Sequence, residues 1–199
     1  AHSAAEERVV VPDRLFEELS GVASPVGILA CAAVPDPGPL TALAGDTLVL
    51  DRLQEPGNVG SILRTAAAAG VRTVIATVGT AFLWSPKVLR AAMGAHFGLV
   101  LHEDASAASL AACAREGDLQ CLALALRSNA SLYAAELRRP TLWMLGNEGA
   151  GLDPALVALA DRAVEIPMPG GSESLNVAAA AAVALFEQVR QRYGARGAQ

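Results

Sequence analysis

Short apolar runs alternate with longer amphipathic stretches along the chain. Runs rich in Val, Leu and Ile are typical of buried strands, and apolar positions that repeat every three or four residues predict helices. Because the two kinds of segment alternate, the pattern predicts an α/β fold with a mostly parallel sheet and helices on both faces. The predicted strands are residues 27–33, 47–51, 73–77, 97–101, 121–126, 141–145 and 163–166, and the predicted helices are residues 58–69, 85–92, 105–116, 153–160 and 175–193.

The composition excludes a disordered chain and argues against a membrane partner. Of the 199 residues, 53 % are hydrophobic and 18 % are charged, a balance typical of a compact domain. The longest apolar stretch, residues 177–186, is far shorter than the roughly 20 residues that a bilayer span requires. A net charge of −5 argues against nucleic-acid binding by bulk electrostatics, but it leaves room for a local basic site.

The cysteine and histidine positions predict no metal site. Cys31, Cys113 and Cys121 are an odd number without a Cys-x-x-Cys pair, so they suggest neither a disulfide framework nor a zinc site. We therefore expect reduced cysteines and a cytoplasmic location. His96 and His102 flank a predicted strand without the companions that a metal or a nucleophile requires, so we interpret both as structural or solvent-facing.

Residues 50–70, LDRLQEPGNVGSILRTAAAAG, form the first segment with possible chemistry. The pattern predicts a strand, a Pro-Gly-Asn turn and a helix with one apolar stripe, and Arg64 lies beside that stripe. Free backbone amides at a helix N-terminus favour a phosphate or another anion. For this segment alone, a capped helix with one surface arginine is the simpler interpretation.

Residues 142–152, LWMLGNEGAGL, form the second segment. A buried strand leads directly into three glycines interleaved with Asn147 and Glu148. Glycines let the backbone turn sharply and let a ligand approach main-chain atoms. Loops at the carboxyl ends of parallel strands are where open α/β sheets bind ligands, although a strand-to-helix turn that needs glycine explains the loop equally well.

Residues 166–176, IPMPGGSESLN, form the third segment and lead into the last predicted helix. Ser172 or Ser174 is the expected N-cap of that helix. Asn176 needs a hydrogen-bond partner, because an amide among alanine and leucine side chains is otherwise costly to bury. The predicted apolar face of the helix comprises Leu175, Ala178, Ala179, Ala182, Phe186 and Val189.

Taken together, the three segments resemble the signature motifs of one enzyme family. EPGNVGSILRTA, LGNEGAGL and IPMPGGSESLNVAAAAAVALFE, in this order and spacing, are similar to the motifs of the SpoU (TrmH-like) branch of the SPOUT methyltransferases. The segment SPKVLRAAMGAHFGLVL resembles the stretch that the family has between its first two motifs. The resemblance covers about residues 25–193.

The resemblance implies an enzyme that transfers a methyl group from S-adenosylmethionine to a ribose 2'-hydroxyl of tRNA or rRNA. It also implies a C-terminal trefoil knot, which periodicity cannot predict because knots are nearly absent from proteins. Family members act as homodimers, and many carry an N-terminal RNA-binding domain resembling ribosomal protein L30. We therefore expect residues 1–24 to be a linker or the tail of such a domain, and residues 25–199 to be the catalytic domain.

The resemblance assigns residues to two groups. Asn58, Arg64, Glu148, Ser174 and Asn176 match the catalytic positions. Arg64 is expected first to orient the RNA and stabilise developing charge, because an arginine is a poor general base, with acceptance of the proton as the alternative role. Glu148 is expected to orient Arg64 or Asn58, while Ser174 and Asn176 hold the reacting hydroxyl and the loop. The residues that match the cofactor site are Ala125, Leu126, Gly146, Asn147, Ile166, Met168, Ser174 and Leu175.

Two other functions compete with this interpretation. A dimer with the same knotted fold could bind RNA or cofactor without turnover, although the complete set of motif residues argues against it. A nucleotide-dependent oxidoreductase would explain the alternation of strands and helices. It is disfavoured because no Gly-x-Gly-x-x-Gly follows the first strand.

Overall fold

The computed structural model describes residues 7–22, 24–41, 43, 45–171 and 173–196. The chain divides into two units, residues 1–35 and residues 36–199. The second unit contains one six-stranded sheet in the order β3-β2-β1-β5-β4-β6, and every strand pairing is parallel. The strands are β1 (Thr47–Leu50), β2 (Thr73–Thr77), β3 (Val100–Ala105), β4 (Gln120–Leu124), β5 (Thr141–Leu145) and β6 (Arg162–Val164).

Helices cover both faces of this sheet, as predicted. Alternate residues of a strand point to opposite faces. Leu48 and Leu50 of β1 therefore face a core shared with α2, α3 and α6, whereas Val49 faces a second core shared with α4 and α5. The helices of this unit are α2 (Pro56–Ala68), α3 (Pro86–Ala92), α4 (Ala107–Glu116), α5 (Pro154–Leu159) and α6 (Val177–Arg196).

The helix starts follow from local capping chemistry. Glu55, Ser85 and Asp153 each accept a hydrogen bond from an amide of the helix that follows, and each precedes a proline at the first helical position. Ser106 and Ser109 cap each other at the start of α4. These caps explain why the helix starts predicted from the sequence agree with the structure to within two residues.

The predicted strand at residues 27–33 is wrong. These residues form no strand, and Ile28 is 82 % exposed. An apolar run becomes a strand only where another strand offers its backbone groups. The first unit instead contains helix α1 (Asp13–Ser20), in which no side chain is buried.

The predicted strand at residues 97–101 is displaced. Ala95–Gly98 form a 3-10 turn, and β3 continues through the polar residues His102, Glu103 and Asp104. Because β3 is at the edge of the sheet, it accommodates charged side chains that a central strand would exclude. His96 is buried and its Nε2 lies 2.8 Å from the Leu83 carbonyl oxygen, which confirms its structural interpretation.

The last helix buries a different face from the predicted one. Phe186 is exposed, and Ala179 is exposed as well. Alanines on nearly every side of α6 leave the pattern without a clear apolar stripe. The buried side chains of α6 are Val177, Ala181, Ala184, Leu185, Glu187 and Gln188.

A polar cluster fixes α6 to the amino edge of the sheet. The Gln188 side chain accepts a 2.8 Å hydrogen bond from the Trp143 indole. Its amide nitrogen donates to Thr141 Oγ1 at 3.0 Å and to Asp46 Oδ1 at 3.1 Å. Arg192 forms an ion pair with Asp46. The cluster satisfies every polar group of the buried Gln188 side chain and so sets the position of α6 along the sheet.

Candidate active site at the carboxyl edge of the sheet

A chain of amide and carboxylate groups joins all three segments singled out in the sequence. Asn58, on the first turn of α2, donates from Nδ2 to Glu148 Oε1 at 2.8 Å. Its Oδ1 accepts a 3.0 Å hydrogen bond from Asn176 Nδ2. A charged acceptor strengthens the first bond and fixes which way the Asn58 amide points. The structure therefore brings three of the five predicted catalytic side chains into direct contact.

Asn176 also caps helix α6, a role that the sequence pattern predicted for a serine. Its Oδ1 accepts hydrogen bonds from the amides of Ala178 and Ala179 at 2.9 and 3.4 Å, so Asn176 is the N-cap of α6. The prediction that Ser174 caps this helix is wrong, and Ser172 lies outside the described residues. One side chain thus both starts α6 and orients Asn58.

Asn147 shapes the glycine loop that carries Glu148. Its Oδ1 accepts hydrogen bonds from the amides of Gly149 and Ala150, both at 2.9 Å. Its Nδ2 donates to the Arg52 carbonyl oxygen at 2.9 Å. These contacts fold the loop back on itself and attach it to the loop after β1. The Asn147 side chain, predicted in the cofactor group, organises the loop in this structure.

Gly146 is packed against the far end of the same loop. A Cβ at this position would lie 2.4 Å from the Leu152 backbone nitrogen and 2.8 Å from the Gly151 carbonyl oxygen. Any larger residue would therefore push the two ends of the loop apart. The glycine is required because two stretches of backbone approach each other closely.

Asp51 and Arg52 form a second hydrogen-bond network beside the glycine loop. The sequence motifs did not point to these two residues. The buried Asp51 carboxylate accepts hydrogen bonds from Thr77 Oγ1 at 2.7 Å and from the Asp153 amide at 2.8 Å. Arg52 adopts a left-handed backbone conformation, with a φ of 55°, and its guanidinium contacts both Asp51 and the Gly151 carbonyl oxygen. An aspartate directly after an apolar strand is the signal that could have pointed to it.

Arg64 and Ser174 are placed differently from the central chain. The Arg64 side chain is exposed and makes no hydrogen bond or ion pair with any other described residue. It follows Asn58 by six residues, which corresponds to roughly 9 Å along a helix axis. Ser174 is also exposed, just before α6. Glu148 therefore pairs with Asn58, which is one of its two expected partners, whereas the other, Arg64, is directed to solvent.

Three loops at this edge present groups that fit S-adenosylmethionine. Among the described residues, the amide nitrogens of Leu126, Arg127 and Gly146 have no hydrogen-bond acceptor. Leu126 is 60 % exposed, and Leu175 is also exposed. Free main-chain donors beside apolar side chains suit a ligand with a purine ring and an amino-acid group. Ala125, Ile166 and Met168 are partly buried in the same loops.

Other features of the described part of the chain bear on the choice of site. Within the described parts of the chain, no group of three His, Cys, Asp or Glu side chains could hold a metal ion. A cavity of about 360 Å³ lies at the opposite edge, between the starts of β4 and β6. No described helix is long and apolar enough to cross a membrane.

Sequence comparison finds similarity to RNA methyltransferases. Residues 46–186 match the model of the SpoU rRNA Methylase family. The chain is 35 % identical over 190 residues to an uncharacterized tRNA/rRNA methyltransferase of Synechocystis, covering 94 % of this chain and 68 % of the relative. It is 33 % identical to the 23S rRNA (guanosine(2553)-2'-O)-methyltransferase of Bacillus subtilis, covering 86 % and 68 %.

Solved structures agree with the sequence relatives. The SpoU methyltransferase AviRb from Streptomyces viridochromogenes in complex with AdoMet matches with a TM-score of 0.71 and 33 % identity, covering 76 % of this chain and 63 % of that one. The AdoMet-bound rRNA methyltransferase from Sinorhizobium meliloti matches with a TM-score of 0.76 and 28 % identity, covering 90 % and 70 %.

The fold and the site define an RNA ribose 2'-O-methyltransferase domain that uses S-adenosylmethionine. The chain belongs to the SpoU rRNA Methylase family. It spans 68 % of the length of each of the two sequence relatives named above and 58 % to 60 % of the length of several other 23S rRNA methyltransferases.

Proposed function

We propose that this protein methylates a ribose 2'-hydroxyl of ribosomal RNA, and that the chain of Glu148, Asn58 and Asn176 forms the centre of its active site. The contact among these side chains carries the proposal, because it joins three segments that are far apart in sequence at one edge of the sheet. Ribosomal rather than transfer RNA is supported by the names of the relatives, several of which are 23S rRNA methyltransferases. The reduced cysteines expected from the sequence support a cytoplasmic location.

The cofactor lies against the three loops that follow β4, β5 and β6. S-adenosylmethionine, when bound, supplies the methyl group as an electrophilic sulfonium. Ala125, Leu126 and Gly146 present main-chain groups to it, while Ile166, Met168 and Leu175 provide apolar contact. In this arrangement the chain after β6 threads the loop after β4 to form a trefoil knot. The bridge between Ser131 and Glu165 brings these two segments side by side, which such threading requires.

Arg64 stabilises the reacting oxygen and orients the RNA. Negative charge develops on the 2'-oxygen as the hydroxyl gives up its proton to a base, and a guanidinium beside that oxygen stabilises the charge. The same group holds the adjacent phosphate in a bidentate manner. Because Arg64 is exposed and pairs with no other described residue, its guanidinium is available to a substrate. Glu148 orients Asn58, and Ser174 lies beside the hydroxyl.

The protein acts as a homodimer through α6. Ala179 and Phe186 are exposed on this helix, and alanines between them allow a second helix to approach closely. Phe186 is 47 % exposed, so its ring is available to pack against the second helix. Sedimentation of the wild type and of Phe186→Arg tests the dimer directly.

Two measurements test the proposed function. Calorimetric titration with S-adenosylmethionine should give saturable binding by the wild-type chain. Transfer of a labelled methyl group to 23S rRNA should fall about 100- to 1,000-fold in Arg64→Ala, the usual effect of removing a group that stabilises charge in the transition state. Arg115→Ala, on α4, is the matched control and should retain activity. Near-normal transfer by Arg64→Ala would refute the role of Arg64, and cofactor binding without transfer to RNA would indicate a non-catalytic binding protein.

A further inference from the structure

The basic residues of this acidic chain are not evenly distributed. Between residues 56 and 102 there is no Asp or Glu, although the whole chain contains 20 of them. The same stretch contains Arg64, Arg72, Lys87 and Arg90. All four are exposed, and none forms an ion pair with another described residue. The segment that forms α2, β2, α3 and the turn before β3 therefore carries four positive charges and no negative one, although Glu103 and Glu148 of other segments contact it at Leu83 and Asn58.

An exposed phenylalanine lies within this positive region. Phe97, in the 3-10 turn between α3 and β3, is 96 % exposed. Met93, at the end of α3, is 73 % exposed, and Leu89, one helical turn earlier, is 40 % exposed. A phenylalanine ring left in water forgoes the free energy of its burial. Together with Met93 and Leu89, the ring forms an exposed apolar area among basic residues.

The backbone holds Phe97 outward in a defined way. Met93 and Gly94 both adopt left-handed conformations, with φ of 51° and 85°, and turn the chain sharply at the end of α3. His96, two residues after Gly94, is anchored in the core by its hydrogen bond to the Leu83 carbonyl oxygen. Its ring also packs against Trp84, with ring centroids 4.9 Å apart. Because His96 is fixed inward, its neighbour Phe97 is presented to solvent on a firm support.

This region is also attached rigidly to the helix that begins the active site. Gly60 of α2 lies against α3 so closely that a Cβ there would be 2.4 Å from Ala91 Cβ and 2.7 Å from the Val88 carbonyl oxygen. Asn58 is on the same first turns of α2. A ligand held by α3 is therefore held at a fixed position relative to the active site.

From these observations we infer that Lys87, Arg90, Met93 and Phe97, here called the α3 surface, bind single-stranded RNA beside the methylated nucleotide. Phe97 stacks on a base and Met93 contacts its edge, while Lys87 and Arg90 neutralise the phosphates. The inference rests on the proposed function, since it extends the site along the same RNA. Positive charge around an exposed aromatic side chain is the arrangement that binds unpaired nucleotides without reading their sequence.

Charge favours RNA over a second copy of the chain. If two copies met symmetrically through the α3 surface, each would present the same basic groups to the other, and no acidic residue of the stretch could pair with them. RNA supplies a negative charge with every nucleotide. It also supplies flat apolar surfaces that match the Phe97 ring.

Anisotropy titration of a fluorescent single-stranded RNA, of mixed sequence and about 20 nucleotides, tests the inference. We expect Phe97→Ala to bind this probe about tenfold more weakly, which is typical for the loss of one stacked base. Phe97→Trp should keep the wild-type affinity and Phe97→Leu should not, because leucine keeps the apolar contact but not the stacking. Val157→Ala, on α5 at the opposite face of the sheet, is the control for an exposed apolar side chain.

The phosphate contacts are tested by salt dependence. Arg90→Ala should reduce the slope of log affinity against log salt by about 0.7, the value for one phosphate contact on a single strand. Arg115→Ala should leave the slope unchanged.

Equal affinity of wild type and Phe97→Ala for the RNA probe, with normal methyl transfer by both, would overturn the inference while the proposed function stands. A change of oligomeric mass in Phe97→Ala would assign the surface to a second copy and also overturn it. Failure of the wild type to bind and methylate RNA would overturn both.

Discussion

Asn176 and Asn58, 118 positions apart in sequence, are joined by a 3.0 Å hydrogen bond between their side-chain amides. The same Asn176 caps α6 through its other atom, Oδ1. The orientation of Asn58, and through it of Glu148, therefore depends on where α6 begins. This dependence allows the helix cap and the orientation of the site to be tested separately.

Asn176→Asp should keep the cap of α6 but lose the hydrogen bond to Asn58. Aspartate caps a helix as well as asparagine does, so we expect the stability to be nearly unchanged. It cannot donate to Asn58, and it places a second carboxylate near Glu148, so methyl transfer should fall about 10- to 100-fold through loss of positioning. Asn176→Ala should show the same loss of transfer and, in addition, lose about 1 kcal/mol of stability with the cap. Thermal unfolding and single-turnover transfer measure the two effects, and normal transfer by Asn176→Asp would contradict the positioning role.

Gly146→Ala and Gly149→Ala form a matched pair in one loop. At Gly146 an added methyl group would meet the Leu152 nitrogen at 2.4 Å, whereas at Gly149 the nearest contact is 3.5 Å, from Asn147 Oδ1. We expect Gly146→Ala to distort the loop and abolish saturable cofactor binding in calorimetry. Gly149→Ala should bind the cofactor normally. Equal binding by the two variants would show that the close approach at Gly146 is unimportant.

Gln188→Leu should destabilise the fold without touching the site. The substitution leaves the Trp143 indole nitrogen without its buried acceptor and removes both donors to Thr141 and Asp46. Each buried polar group left unpaired costs about 1 to 3 kcal/mol. Urea unfolding should therefore show a clear loss in the free energy of unfolding. Gln54→Leu, at an exposed position, is the control and should have little effect.

Glu103 should make stability depend on pH. Burial raises the pKa of this carboxyl above its ordinary value, more than the hydrogen bond from the Leu83 amide lowers it. The folded chain then binds more protons than the unfolded chain between the two pKa values, so stability falls as pH rises through that range. Glu103→Gln keeps an acceptor for Leu83 and cannot ionise. The difference in Tm between Glu103→Gln and wild type should therefore grow from pH 4 to pH 7, and a constant difference would rule out Glu103 as the cause.

The three cysteines should react with thiol reagents at very different rates. Cys31 is exposed, whereas Cys113 and Cys121 are buried. Burial also raises the pKa of Cys121 to about 11, so little thiolate is present at neutral pH. Titration of the native chain with a chromogenic disulfide reagent should show one fast thiol, and denaturation should release all three. Two fast thiols in the native chain would contradict the burial of Cys113 or Cys121.

The fold was largely predictable from the sequence because its signals are local. Caps such as Ser85 with Pro86, and apolar runs such as Thr73–Thr77, depend on residues that are close together. Residues 27–33 show the limit of this reasoning. Their run is as apolar as a true strand, but strand formation depends on a partner elsewhere in the chain, which the run itself does not encode.

The sequence predicted part of the contacts in the candidate site. Motif resemblance pointed to Asn58, Glu148 and Asn176 and to Asn58 as one of two partners of Glu148, but it did not predict the hydrogen bond from Asn176 to Asn58. Asp51 and Arg52 were missed because a charged pair after a strand is indistinguishable from an ordinary surface turn until the loop that covers it is known. The buried face of α6 was also missed, since Gln188 is buried only because Trp143, Thr141 and Asp46 surround it.

The hydrogen bond between Asn58 and Asn176 also bears on the order in which the protein matures. Contacts between residues so far apart in sequence form slowly, because a long loop must close first. During synthesis, α2 and its partners in the sheet leave the ribosome well before Asn176 does. Until then the Asn58 amide lacks one of the two hydrogen bonds that orient it, so we expect the chain of Glu148, Asn58 and Asn176 to be complete only after α6 has emerged and docked.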